Sequence, residues 1–451
     1  MLIRSTGWSL LFLLVLGLTA CETVNPDWAA EDDSADRLHR SMKRVTDVIV
    51  HDIFSPPVAS RIYAYASIAG YEALRPAYPG YRTLAGQLTD LPPFPQPDAE
   101  LEYSFPVAST HAFLKIGRTL IFSEDQIDEF EATLHEEYAA IEMPSAVFER
   151  SLAYGEAVAD HVLAWADKDN YKQSRTFPKY SITDEAGTWK PTPPDYMDGI
   201  EPHWSKIRPF VIDTASQFRP LPPPEFNMTD TTSQFYRDVM AVYTAMDEDR
   251  EERMAIAEFW DCNPYVSHHK GHVMFATKKI TPGGHWIGIA EIAARQTDAD
   301  MMKAAETYAW TSIALADGFI SCWDEKYRSK LIRPETVINE YIDEDWLPKL
   351  QTPPFPEYTS GHSVVSRAAA VALTHLYGDD FAFLDTSERE YGLPDRQFTS
   401  FLQASDEAAL SRLYGGIHYP PACEQGVVQG EKVGEFIVGN LVTSGQRISQ
   451  R

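Results

Sequence analysis

Cysteine is scarce in this chain: four residues in 451, at positions 21, 262, 322 and 423. There is no C-x-x-C pair and no Cys/His cluster, so the sequence shows neither a zinc module nor a disulfide framework. Positive charge is short as well, with 39 Lys and Arg against 66 Asp and Glu. The resulting acidic field repels nucleic acid and anionic headgroups, so any anion site must be built locally from clustered cations and backbone N–H groups. After the first twenty residues no apolar run approaches the length of a membrane span. Alternating strand patterns are scarce, and internal repeats and low-complexity tracts are absent.

What is present begins with an export pattern. Arg4, an apolar run of about ten residues and "LTAC" ending at Cys21 describe a cleaved signal over residues 1–20. This stretch resembles the lipobox of bacterial lipoproteins, which implies lipidation of Cys21. With Glu22 rather than Asp next, an outer-membrane, periplasmic or surface location is expected, with membrane contact only through that anchor. Residues 21–35 read as a tether. The remaining cysteines are expected to be structural thiols, with room for one bridge and at least one left unpaired.

From residue 36 the pattern is mainly α. Apolar residues recur at helical spacing over 36–74, broken at Pro56-Pro57, then near 103–121, 123–142 (with a capping box at Ser123) and 145–168. Residues 170–226, rich in proline and aromatics, read as a long excursion over the surface. Helical signals return at about 231–260, 285–296, 298–322, 361–377, 399–414 and 423–443. The expectation is one large all-α domain over 36–451 built of helical bundles, with its catalytic half at about 231–445.

Three stretches carry chemistry. In "WDEKYRSKLIRPE" Lys326 and Arg333 stand seven residues apart, nearly two helical turns, with Lys330 on the same face. Pro334 disfavours helix at Arg333 and frees that guanidinium to reach sideways. In "TSGHS" a helix starting near Gly361 converges backbone N–H groups on Ser360-Gly361-His362, where His362 can exchange a proton. In "SRLYGGIHYPP" Gly415-Gly416 breaks the helix after Arg412, so His418 can fold back. Taken singly, each has a plainer reading: a solvated basic face, an N-cap beside an incidental histidine, a surface turn.

Together, Lys-x6-Arg-Pro, Ser-Gly-His and Ser-Arg-x5-His resemble the signature of vanadium-dependent haloperoxidases and the related type-2 phosphatidic-acid phosphatases. Flanking segments such as "HDIFSPPVASRIYAYASIAGYEAL" and "FWDCNPYVSHHKGH" are similar to the bacterial iodoperoxidase branch over most of the chain. The resemblance implies one vanadate per chain and no haem. Lys326 (over Lys330), Arg333 and Arg412 would clamp its equatorial oxygens, with the Ser360 hydroxyl and the Gly361 N–H. It makes His418 the ring-nitrogen ligand to vanadium, and gives His362 the apical oxygen and the proton traffic. Trp323 and Phe355 match positions flanking the cofactor, and Asp324 and Tyr265 are expected just behind them.

The implied activity is oxidation of iodide, with bromide next, by hydrogen peroxide to hypohalous acid, which halogenates small organic acceptors. The alternative is an acid phosphatase in which His418 is phosphorylated and His362 protonates the leaving oxygen. Two positions depart from the family. Thr359 replaces the usual Pro before Ser-Gly-His, and Ala422 replaces the Asp four residues after the metal-binding histidine. For the lost carboxylate, Glu424, Asp324 or a backbone carbonyl is the expected substitute.

Overall fold

The computed structural model describes residues 24–270 and 273–444, without the side chains of residues 269–275. The signal and Cys21 lie outside the described residues. The chain opens with α1 (Trp28–Asp32), α2 (Ala35–His51) and α3 (Pro56–Leu74). The Pro56-Pro57 break is a helix start, since proline at the first helical positions loses no hydrogen bond. Within the expected tether, Trp28 and Asp32 are buried, and Asp32 accepts a hydrogen bond from Ser104. The indole brings enough apolar surface to seat a single turn of helix on the body.

Next come α4 (Phe105–Leu120), α5 (Glu124–Ala140) and α6 (Ser145–Ala166). The capping box at Ser123 does not form; its hydroxyl donates to Asp52 Oδ1 at 2.5 Å instead. Residues 170–226 hold only the single turn α7 (Tyr171–Ser174) and a 3-10 turn at Trp204–Lys206. The excursion is embedded as well as superficial. It buries Trp189, Trp204 and Phe210, and the Asp317 carboxylate accepts the N–H groups of Phe210, Val211 and Ile212 at 2.7, 2.7 and 3.0 Å.

The second half contains α8 (Gln234–Tyr243), α9 (Arg250–Phe259), α10 (Pro282–Gln296), α11 (Met301–Ser329), α12 (Pro334–Tyr341), α13 (Gly361–Tyr377), α14 (Phe401–Tyr414) and α15 (Pro420–Asn440). Two small antiparallel hairpins, unforeseen in the sequence, pair β1 (Val266–Lys270) with β2 (Val273–Thr277) and β3 (Phe383–Asp385) with β4 (Arg396–Phe398). α11 is buried over most of its length and packs on α3 from one half and α13 from the other. One continuous apolar core therefore runs through both bundles.

α13 and α15 lie against each other with little between them. A Cβ added at Gly426, Gly430 or Gly434 would fall 2.7, 2.2 or 2.7 Å from the nearest atom of α13. All three cysteines of the described chain are buried and free, so no bridge forms.

Candidate active site

Four pieces of chain bring the cations together. α11 delivers Lys326 on its last turn, then ends at Ser329 with Lys330 left-handed at φ 52° and exposed. The helix does not continue to Arg333, so the two residues do not share a helical face as the spacing implied. Arg333 is instead the extended N-cap residue of α12, ahead of Pro334. α13 starts at Gly361, with Ser360 as N-cap accepting from Ser363 N at 3.3 Å. α14 delivers Arg412, Gly416 turns the chain at φ +78°, and His418 comes back beside it, just before Pro420 starts α15.

Each cation is tied down by carbonyls. Lys326 Nζ donates to Pro356 O and Glu357 O at 3.1 Å and to Thr359 O at 2.5 Å. Arg333 donates to Phe355 O at 3.0 Å and Ile417 O at 2.8 Å, and its Nη1 lies 3.2 Å from His418 Nε2. Arg412 donates to Trp260 O at 2.6 Å and to Ser411 Oγ at 2.9 Å. Phe355 lies against both Lys326 and Arg333, 4.9 and 5.0 Å from its ring centre, and Trp323 leans on it at 5.1 Å. These rings keep water off the charges, and burial pulls the Lys326 pKa down to about 8 and that of Arg333 to about 10.

The substitute for the missing carboxylate is Glu357, which the sequence reading did not consider. Its Oε1 lies 2.9 Å from His418 Nδ1 and accepts Tyr419 N at 2.9 Å. Of the candidates named beforehand, Glu424 is exposed, and Asp324 pairs with Arg219 and Arg328 away from the cations. Burial, then the Arg333, Lys326 and Arg412 charges, hold the His418 pKa well below its ordinary value, so the imidazole is neutral. Its Nδ1–H donates to Glu357, leaving on Nε2 a lone pair that accepts from Arg333 Nη1 and is available as a ligand. Thr359, in place of proline, donates its hydroxyl to Gln429 Oε1 at 2.7 Å and offers its carbonyl to Lys326.

A cavity of about 280 Å³ opens beside these groups, bordered by Gly361, His362, Arg412, His418, Trp323 and Phe355. Tyr265 also borders it, with Asp261 and Cys262, which the sequence reading did not single out. His362 Nε2 is buried without a hydrogen-bond partner, and burial followed by Arg412 and His285 pushes its pKa well below the usual value. A Cβ on Gly361 would stand 3.7 Å from Trp323 and 3.9 Å from Lys326 Cε, in ordinary contact, so glycine keeps that face of the turn bare. Three buried cations meet two buried carboxylates, Glu357 and Asp261, beside an orphaned imidazole nitrogen and a side-chain-free cradle. That set fits a small tetrahedral oxyanion.

Residues 306–444 match a family model described as the VCPO second helical-bundle domain. The chain belongs to the family of vanadium-dependent haloperoxidases. It is similar in particular to a solved bacterial vanadium-dependent iodoperoxidase, at 51% identity over 92% of this chain and 98% of that one, with a TM-score of 0.87. Holo and apo structures of a bacterial vanadium-dependent chloroperoxidase share the fold at TM-scores of 0.64. They are 17% and 16% identical, and cover 86% and 85% of this chain and 93% and 94% of theirs. None of the curated proteins compared matches.

Proposed function

We propose that the chain is a vanadate-dependent haloperoxidase that oxidises iodide, and bromide less readily, with hydrogen peroxide. Halide, peroxide and a proton give hypohalous acid and water, and the acid then halogenates small organic acceptors. The carrying observation is the gathering of buried Lys326, Arg333 and Arg412 around a neutral His418 whose Nδ1 is held by Glu357, with Arg412 and His418 bordering the cavity. The 51% identity to an iodoperoxidase supports iodide as the halide.

In this reading one vanadate is held by His418 through Nε2, by the three cations, by the Ser360 hydroxyl and by the Gly361 N–H. When bound, it supplies Lewis acidity that activates peroxide without a change of oxidation state. The chain's own residues do the rest. Ser360 Oγ accepts its cap bond from Ser363 N and still has a proton to donate into the cradle. Neutral His362 takes a proton from peroxide at Nε2 and returns it to the departing oxygen. Trp323, Phe355 and Phe319 give the cavity an apolar wall, which suits a large, weakly hydrated halide.

The test is purified protein reconstituted with orthovanadate, given iodide and peroxide, with a phosphomonoester assayed in parallel. Vanadate-dependent iodide oxidation that is lost in His418→Ala is expected. Phosphate release without iodide oxidation would instead assign the pocket to phosphohistidine chemistry. Export and anchoring at Cys21 belong to the same proposal, supported by the "LTAC" pattern. Cys21→Ser should abolish palmitate labelling and release the protein from membranes. Among the described residues no helix is long and apolar enough to cross a membrane.

A further inference from the structure

Cys262 forms part of the wall of the active-site cavity, and its thiol also meets a second cluster of buried side chains. Its Sγ lies 3.4 Å from His285 Nδ1 and 3.9 Å from Glu388 Oε1, and those two atoms are 3.1 Å apart. The other ring nitrogen of His285, Nε2, lies 2.8 Å from Asp385 Oδ2. Cys262, His285, Asp385 and Glu388 are each no more than 1% exposed. The residues come from the loop after α9, the first turn of α10, the end of β3 and the segment after it, so only the fold unites them.

We propose that Cys262, His285 and Glu388 form a binding site for a divalent cation of the zinc class. Bonds of about 2.0–2.3 Å at tetrahedral angles set zinc donors roughly 3.2–3.7 Å apart, and the three observed separations bracket that range. The thiolate, imidazole and carboxylate set suits a borderline-soft metal better than magnesium or calcium. His285 is already oriented for it: Nε2–H donates to Asp385 and Nδ1 points at the shared centre, the carboxylate–histidine–metal arrangement. Glu388 Oε2 is buried without a partner, an orphan that a cation would satisfy. Of the three ligands Cys262 alone borders the cavity, which is the side from which a metal ion would enter.

Without metal, burial pushes the His285 pKa down, but Asp385 and Cys262 outweigh it and raise it well above the ordinary value. A dication takes that proton's place, so binding releases protons and weakens in acid. The site braces the anion cradle, because the neighbouring Trp260 carbonyl is the one that holds Arg412.

The experiment uses the intact protein, stripped with chelator and free of vanadate, titrated with zinc and with cobalt(II). One equivalent per chain is expected, with a thiolate-to-cobalt charge-transfer band and a zinc-dependent rise in melting temperature. Cys262→Ser should lose the band and at least about 100-fold in affinity. Glu388→Gln, which keeps the thiol, should keep the band but bind more weakly. Changing His111, in the partly buried His111–Glu131–His135 group, should leave binding intact. No stoichiometric binding, or equal binding by wild type and Cys262→Ser, would overturn the proposal and leave a hydrogen-bonded imidazolium. Vanadate takes no part, so failure here is separable from failure of the peroxidase reading.

Discussion

At His418 the chemistry depends on which ring nitrogen is free, and Glu357 decides that. Burial lifts the Glu357 pKa to about 7 against the pull of Arg333, so above that pH Gln at 357 keeps an acceptor for Nδ1–H but removes the negative charge that raises the basicity of Nε2. Glu357→Gln is therefore expected to weaken vanadate affinity roughly 10–100-fold. The melting temperature should hold, and the exposed Glu424→Gln should change nothing; a vanadate titration by calorimetry compares the two. The opposite ranking would return the orienting role to the residue nearer in sequence. His418, Arg412, Lys326 and the Ser-Gly-His turn stood out in the sequence only as a composite of short patterns, each of them plain when taken singly. Glu357 did not, since it is separated from His418 by 61 positions and only folding brings the two together. Cys262 was hidden for the same reason: its partners His285 and Glu388 are 23 and 126 positions away.

The elements that matter most are α13 and α15, which carry the Ser-Gly-His turn and follow His418. Their contact leaves no room for a methyl at Gly430, where it would meet the Val364 carbonyl at 2.2 Å. Gly430→Ala should cost about 1–3 kcal/mol and lower kcat through displacement of the α13 N-terminus. Gly439→Ala on the same helix meets nothing within 4 Å and should stabilise by about 0.5–1 kcal/mol. Urea unfolding of the two variants checks both signs.

α1 gives a pH prediction. Burial raises the Asp32 pKa from 3.8 to about 6, partly opposed by its hydrogen bond to Ser104 and by Arg37. A carboxyl raised on folding stabilises fully below pH 3.8, and that contribution is lost as pH rises through about 6. Relative to Asp32→Asn, wild type should lose on the order of 2–3 kcal/mol between pH 4 and 7. A difference that stays flat with pH would refute it. Helices were legible from periodicity. Their ends were less so: Pro420-Pro421 read as a turn but begins α15, and the hairpins were too short to alternate visibly.

The whole molecule sets an acidic surface, net −27, around a cationic pocket. Once vanadate offsets the buried cations, iodide must approach through a repulsive field that salt screens within about 10 Å. With a non-halide salt, kcat/KM for iodide should rise with ionic strength, while that for neutral peroxide stays level. A fall for iodide would mean that the pocket's own field dominates the approach. The all-α architecture was legible from the sparse strand signals and the long periodic segments. The depth of residues 170–226 was not, because burial of Trp189 and Trp204 depends on contacts that proline-rich sequence does not announce.

The cavity is lined from three separate stretches of chain: Ile53, Ser55 and Pro56 ahead of and into α3, Met197 and Ile200 in the excursion, and the cation-bearing half. Cradle and mouth are thus written in different parts of the gene. Drift at 53–56 or 197–200 can reshape which acceptor reaches the oxidant while the anion-holding residues stay fixed.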